Sequence, residues 1–198
     1  MKHYNFIILA LFAISFSLYI TSCSDHQQNL GEDSVTGAAN LEDAIKHGEY
    51  LVTIMACNDC HSPKRMGANG PEIIPELMLS GYPSAKPIIK FTEPLLKEGF
   101  ALFYPDLTAA AGPWGVSFAG NLTPDETGIG HWTEEKFKKA IIQGKYKGLD
   151  AGRMLLPPMP WPSYASLSDE DVHAIFTYLK SIKPVRNIVP APVSPDKM

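Results

Sequence analysis

Two cysteines and a histidine within five residues constrain this chain of 198 residues more than any other feature. The segment reads Cys57-Asn58-Asp59-Cys60-His61 and fits the pattern by which haem is attached covalently to a protein. In that chemistry each thiol adds to one vinyl group of the haem, and the adjacent imidazole can bind the iron. The sequence therefore predicts one haem c, held by Cys57 and Cys60, with His61 as the proximal iron ligand.

Three other uses of a Cys-x-x-Cys pair are weaker interpretations. A thioredoxin-like redox motif needs a βαβ surround, which the pattern around these cysteines does not predict. A structural zinc needs four ligands, and the one other cysteine of the chain, Cys23, has a different predicted role. A disulfide between Cys57 and Cys60 leaves His61 without an explanation.

The N-terminus has the features of a bacterial secretion signal. An apolar run at 6–20 follows Lys2, and small residues come just before Cys23 in the segment "ITSC". This ending resembles a lipobox, so we expect residues 1–22 to be a lipoprotein signal peptide and Cys23 to carry the lipid. The alternative is an uncleaved membrane anchor. Either interpretation places the protein at the periplasmic or cell-envelope side of a bacterial membrane.

The rest of the chain is expected to form one all-α domain at residues 41–184. Residues 23–40 are polar and small, which predicts a flexible tether. Apolar residues recur at helical spacing before Cys57, between caps at Thr133 and Gly144, and after Ser168. Residues 62–131 hold nine Pro and nine Gly and predict a long insertion, and residues 185–198 predict an extended tail. The net charge of −4 gives no basic surface for nucleic acid.

A methionine is the expected second iron ligand, as in cytochromes with Met/His ligation, in which the thioether sulfur raises the reduction potential of the haem. The candidates are Met66, Met78, Met154 and Met159. Met159 lies between prolines that restrict the backbone, so its loop can hold a sulfur at a fixed position. We therefore predict Met159 as the distal ligand. A bis-His iron, with His131 as the main candidate, and a five-coordinate iron are the alternatives.

These features together resemble a class I c-type cytochrome domain. The segments "AGNLTPDETGIGHWTEEKFKKAIIQG", "PPMPW" and "SLSDEDVHAIFTYLKSIKPVRN" are similar to the cytochrome c subunits of membrane-bound dehydrogenases, and the resemblance covers about residues 41–190. It implies the cytochrome c fold, with the long insertion between the haem motif and the Met loop. It also implies that the first and last helices cross at a glycine and an aromatic residue, for which Gly48 and Tyr178 are candidates and Tyr50 is another.

The resemblance implies a function in electron transfer rather than catalysis. We expect a monohaem one-electron carrier with His/Met-ligated iron, without catalytic residues of its own, held at the membrane by a lipid anchor. The expected partner is a dehydrogenase or a respiratory-chain component, and the chain can be a subunit of such an oxidoreductase complex. The alternative is a haem-based ligand sensor, or an enzyme with an open distal site.

Overall fold

A computed structural model describes residues 29–88 and 93–198, with side chains at 40–88 and 94–198. The chain divides into two units, residues 1–42 and 43–198. The predicted signal peptide, Cys23 and the part of the predicted tether before residue 29 lie outside the described residues. Within the described ranges, no helix combines the length and the apolar character that crossing a membrane requires.

The helices follow the predicted periodicity, and two of them have the predicted caps. They are α1 (Asn29–Ile54), α2 (Cys57–His61), α3 (Glu93–Lys97), α4 (Glu134–Gln143), α5 (Trp161–Tyr164) and α6 (Asp169–Ser181). Thr133 caps α4 by accepting a hydrogen bond from the backbone of Lys136, and Gly144 ends it at a φ of +65°. Ser168 and Asp171 form a capping box at the start of α6. Helix α1 begins at Asn29, inside the segment 23–40 for which the sequence predicts a flexible tether.

The expectation of an all-α fold is wrong, because the described part of the predicted insertion contains five short strands. Strand β1 (Lys64–Gly67) pairs antiparallel with β2 (Gly70–Ile73). Strands β3 (Leu102–Phe103), β4 (Ala109–Gly112) and β5 (Gly115–Phe118) form a second antiparallel sheet in that order. Glycines at positive φ, +123° at Gly70 and +97° at Gly115, sit where these strands turn back, so frequent glycine marks hairpins here rather than structureless loops.

The main core lies between helices α1, α4 and α6. Its buried residues are Leu51, Val52, Leu79, Ile129, Phe137, Ile141, Val172, Ala174, Ile175, Tyr178 and Leu179. Two smaller apolar clusters surround the three-stranded sheet, one containing Tyr82 and Tyr104 and the other Leu96 and Val116. The insertion therefore has apolar cores of its own, while Leu79 and Ile129 anchor it in the helical core.

Helices α1 and α6 cross at Gly48, as the sequence predicts. A Cβ placed on Gly48 would lie 2.0 Å from the carbonyl oxygen of Ala174 and 2.7 Å from Cβ of Tyr178. Only a residue without a side chain allows the two backbones to approach so closely. The predicted contact of Gly48 with Tyr178 is thus confirmed, whereas the side chain of Tyr50 is 61% exposed.

The segment after α6 lies along the insertion. Val193 and Val116 exchange two backbone hydrogen bonds of 3.0 and 2.8 Å, which places the C-terminal residues beside β5. Arg186 forms an ion pair with Glu126 on the surface. The segment contains no helix until the 3₁₀ turn at Pro195–Lys197.

Candidate haem site

The haem motif forms a short helix of its own, separated from α1 by a left-handed residue. Ala56 has φ 57° and ψ 30°, a conformation that costs a residue with a side chain about 1–2 kcal/mol. The last bonds before the turn run from the amide of Met55 to the carbonyl of Leu51 and from Ala56 to Thr53. Because the helix direction changes at Ala56, the motif is presented as a separate turn, α2, at the end of α1.

The two cysteines of α2 are unpaired and partly exposed. They lie three residues apart, so both side chains project from the same side of the helix. Burial raises the pKa of the Cys57 thiol to about 11. Burial also raises the pKa of Cys60, although the nearby Lys64 ammonium opposes the shift. A thiol–disulfide motif works through a thiolate whose pKa is lowered, so these two raised values argue against a redox-active dithiol.

Lys64 fixes the C-terminal end of α2. Its ammonium donates hydrogen bonds to the carbonyl oxygens of Asn58 at 3.3 Å, Asp59 at 2.6 Å and Ser62 at 3.0 Å. A fourth carbonyl oxygen, that of Asp106 in the insertion, lies 3.2 Å from the same nitrogen, so one of its three N–H groups is shared between two acceptors. A cation is favourable at this end of a helix, where carbonyl groups have no partner within the helix. Lys64 therefore ties the haem motif to the insertion.

His61 has one ring nitrogen engaged by the protein. Its Nδ1 lies 2.7 Å from the carbonyl oxygen of Gly120. Because a carbonyl only accepts hydrogen bonds, this contact assigns the proton to Nδ1 and leaves the lone pair of Nε2 available to a metal. Burial lowers the pKa of His61 more than the bond to Gly120 raises it, so the ring is neutral at pH 7. A neutral imidazole oriented in this way is the form that binds haem iron.

Met159 lies in a partly buried loop that the protein holds at several points. Its amide donates to the carbonyl of Leu156 at 3.2 Å. At the start of the loop the amide of Leu155 donates to the carbonyl of Gly144 at 2.7 Å. The hydroxyl of Ser117 on β5 donates to the carbonyl of Pro157 at 2.6 Å. Proline and these three hydrogen bonds together restrict the backbone around the predicted ligand.

The other three candidate methionines have different surroundings. Met66 is 75% exposed on β1, and Met154 is 39% exposed. Met78 packs against the main core. Exposure of Met66 and core packing of Met78 are ordinary roles for methionine, and neither needs a metal.

Tyr164 connects the Met159 loop to the haem motif. Its hydroxyl donates to the carbonyl of Met55 at 2.9 Å. Burial, together with the closeness of Cys57 and Cys60, raises the pKa of Tyr164 to about 12. Tyr164 thus lies in the neighbourhood of both cysteines, and it follows Met159 by five residues. Nothing in the sequence marks this residue, since one tyrosine after a proline-rich loop does not indicate a long-range contact.

The side chains of Asn121, Trp132 and Arg153 are engaged by other parts of the protein. The side-chain oxygen of Asn121 accepts from the backbone of Thr123 at 2.9 Å, and its amide donates to Val185 at 2.8 Å. Arg153 stacks over the ring of Tyr146 at 3.7 Å. The indole of Trp132 packs against the main core. Asn121 therefore has a structural role between the insertion and the tail.

Within the described parts of the chain, no group of three or more His, Cys, Asp or Glu side chains is arranged to hold a metal ion. A zinc site built on Cys57 and Cys60 accordingly finds no further ligands among these residue types in that part of the chain. Two unpaired thiols on one side of a helix, followed by an imidazole with a free Nε2, do fit covalent haem.

The family assignment agrees with this chemistry. The family model "Cytochrome c" matches residues 45–183, so the chain belongs to the cytochrome c family. Membership implies covalently bound haem c and a role in electron transfer. The matched region includes Cys57, Cys60, His61 and Met159.

Several relatives that the chain matches are named as cytochrome subunits of dehydrogenases. The chain is 31% identical over 155 residues, 75% of its length, to the alcohol dehydrogenase (quinone) cytochrome c subunit of Gluconobacter oxydans (strain 621H). It is 33% identical over 143 residues, 71% of its length, to the gluconate 2-dehydrogenase cytochrome c subunit of Pantoea cypripedii. Identity to the fructose dehydrogenase cytochrome subunit of Gluconobacter japonicus is 29% over 152 residues, 76% of the chain. Each match covers 24% of the relative, so the chain spans about a quarter of their length.

Proposed function

We propose that this protein is a monohaem c-type cytochrome that carries single electrons, with His61 and Met159 as its iron ligands. The observation that supports the proposal best is the hydrogen bond from His61 Nδ1 to Gly120, which leaves Nε2 free directly after two unpaired thiols. When bound, haem c supplies an iron that accepts and releases one electron. The chain's own residues attach the haem, orient the imidazole and hold the Met159 loop.

The proposal predicts a specific loss when the distal ligand is removed. Met159→Ala should abolish the weak absorption band of thioether-ligated ferric haem and lower the reduction potential, because a thioether ligand favours ferrous iron. Met154→Ala, five residues away and partly exposed, is the matched control and should leave both unchanged. An unaltered band and potential in Met159→Ala would refute the assignment of the distal ligand.

Haem number and site access are tested separately. The intact mass of the mature protein should show one added haem, because the chain contains one Cys-x-x-Cys-His motif. Wild-type ferrous protein should not bind carbon monoxide, whereas Met159→Ala should. Binding of carbon monoxide to the wild type would instead support the sensor or enzyme with an open distal site.

We also propose that a dehydrogenase is the electron donor and that a lipid on Cys23 holds the protein at the periplasmic side of a membrane. The first part is supported by relatives named as cytochrome subunits of dehydrogenases for alcohols, gluconate and fructose. The second is supported by the lipobox-like ending before Cys23. In this arrangement the chain itself makes and breaks no substrate bond.

Both parts can be tested in the native membrane. The protein should co-purify with a dehydrogenase subunit in mild detergent, and that enzyme's substrate should reduce the haem of the purified complex. A complex whose haem stays oxidised under these conditions would contradict the donor. Cys23→Ser should lose membrane association, and an equally tight association in that variant would contradict the lipid anchor.

A further inference from the structure

Two segments of the insertion meet at the proximal ligand. The amide of Leu122 donates to the carbonyl of Leu79 at 2.9 Å, and the amide of Tyr82 donates to the carbonyl of Ala119 at 3.0 Å. Residues 79–82 and 119–122 therefore run side by side. We call these two segments the ligand brace.

His61 is held by one residue from each side of the ligand brace. The amide of Gly81 donates to the carbonyl oxygen of His61 at 2.7 Å. The Nδ1–H of the same histidine donates to the carbonyl of Gly120 at 2.7 Å. The backbone and the ring of the ligand are thus fixed from two segments that also bind each other.

Gly81 sets how closely the two segments approach. It has a φ of +78°, and a Cβ there would lie 2.4 Å from the carbonyl oxygen of Ala119 and 2.6 Å from both C and O of Gly120. The Gly120 oxygen in that contact is the acceptor for His61. A side chain at position 81 would accordingly push against the very carbonyl that orients the imidazole.

Asn187, in the C-terminal segment, binds the two residues on either side of Gly81 in the sequence. Its buried amide nitrogen donates to the carbonyls of Ser80 at 2.7 Å and Tyr82 at 2.9 Å, the two residues that flank Gly81. Its side-chain oxygen accepts from the amide of Ser84 at 2.9 Å. All hydrogen-bonding groups of this side chain are therefore directed at the segment that begins at Ser80.

We propose that Gly81 and Asn187 are positioning residues for the iron ligand: together they keep the Gly120 carbonyl in place on the His61 ring. The inference rests on the proposed role of His61. A stronger bond at Nδ1 makes the imidazole a better electron donor to a metal, which favours the ferric state. On this basis the insertion and the C-terminal segment lower the reduction potential of the haem iron.

The test compares Gly81→Ala with Gly99→Ala in the haem-loaded protein. Gly99 also has a positive φ, +91°, but a Cβ there meets nothing within 4 Å, so this control has the backbone strain without the contact. Gly81→Ala should raise the reduction potential above that of both the wild type and Gly99→Ala. In the ferrous, diamagnetic protein, the NMR signal of the His61 Nδ1–H should shift upfield and exchange faster with water.

Asn187→Ala provides a second perturbation that adds no steric clash. It should change the potential and the Nδ1–H signal in the same direction as Gly81→Ala, while Asn69→Ala, at the exposed turn between β1 and β2, should change neither. If Gly81→Ala fails to fold, Asn187→Ala decides the question.

Haem attachment and the thioether band, measured first on the wild type, separate this inference from the proposed function. A wild type without haem or without the thioether band would contradict the proposed function. A properly loaded Gly81→Ala whose potential and Nδ1–H signal match those of Gly99→Ala would overturn the positioning role. The same conclusion follows if Asn187→Ala matches the wild type in both measurements.

Discussion

Replacing Gly48 by alanine tests whether the crossing of α1 and α6 supports the domain. The added Cβ would lie 2.0 Å from the Ala174 carbonyl oxygen, far short of the 3.4 Å at which ordinary contact begins. The second neighbour, Cβ of Tyr178 at 2.7 Å, belongs to the start of a side chain and cannot rotate away. The two helices must therefore separate along the core.

The expected change in the free energy of unfolding of Gly48→Ala is the sum of two opposing effects. Overpacking a close contact costs about 1–3 kcal/mol, and backbone atoms on the facing helix place this site at the upper end of that range. Alanine in place of glycine in a helix recovers about 1 kcal/mol of helix propensity. The net expectation for Gly48→Ala is a loss of about 2 kcal/mol in the free energy of unfolding.

Denaturant unfolding of the haem-loaded protein, followed by circular dichroism, measures this loss as a lower midpoint. Tyr50→Ala is the control, since Tyr50 lies on the same helix and is 61% exposed, and its midpoint should change little. If Gly48→Ala were as stable as the wild type or more stable, helix propensity would dominate. The close crossing would then have no energetic importance.

Two further predictions concern a buried carboxylate within the insertion and a hydrogen bond between α5 and the residue after α1. Asp106 is buried, which by itself raises the pKa of its carboxyl, but hydrogen bonds from Lys86 and Thr108 outweigh burial and lower that pKa below its usual 3.8. The carboxylate therefore stabilises the fold above pH 3.8, and this contribution disappears as the pH falls through the lowered pKa. In Asp106→Asn, acid unfolding midpoints should depend less on pH in that range, and an unchanged dependence would contradict the pairing with Lys86. Tyr164→Phe removes the bond to the Met55 carbonyl and should cost about 1 kcal/mol of unfolding free energy in denaturant melts, whereas no loss would show that water replaces the hydroxyl.

The insertion is the part of the fold that the sequence pattern describes least well. Its strands have two to four residues, which is too short for alternation of polar and apolar residues to be visible. All four residues of β4, Ala109–Gly112, are buried, so this strand shows no alternation at all. Frequent proline and glycine indicate turns, but they do not indicate that several of those turns connect paired strands as hairpins.

The haem motif and the helix caps can be predicted from short stretches of the sequence. The spacing of Cys57, Cys60 and His61 predicts covalent haem attachment because one short helical turn brings the three side chains together without help from distant residues. The N-caps at Thr133 and Ser168 likewise depend on atoms three residues away. Haem attachment at Cys57 and Cys60, iron ligation by His61 and Met159, and the lipid site at Cys23 all remain predictions.

The rest of the candidate site depends on contacts between residues that are far apart in the sequence, and no local pattern predicts them. The acceptor for His61 is a backbone carbonyl 59 residues later, and a carbonyl is the same at every position of the sequence. Gly81 matters because of a close approach to Gly120, and Asn187 because it donates to two carbonyls more than a hundred residues earlier. The residues predicted to attach and ligate the haem are thus visible in the sequence, whereas the contacts around His61 involve backbone atoms that only packing brings together.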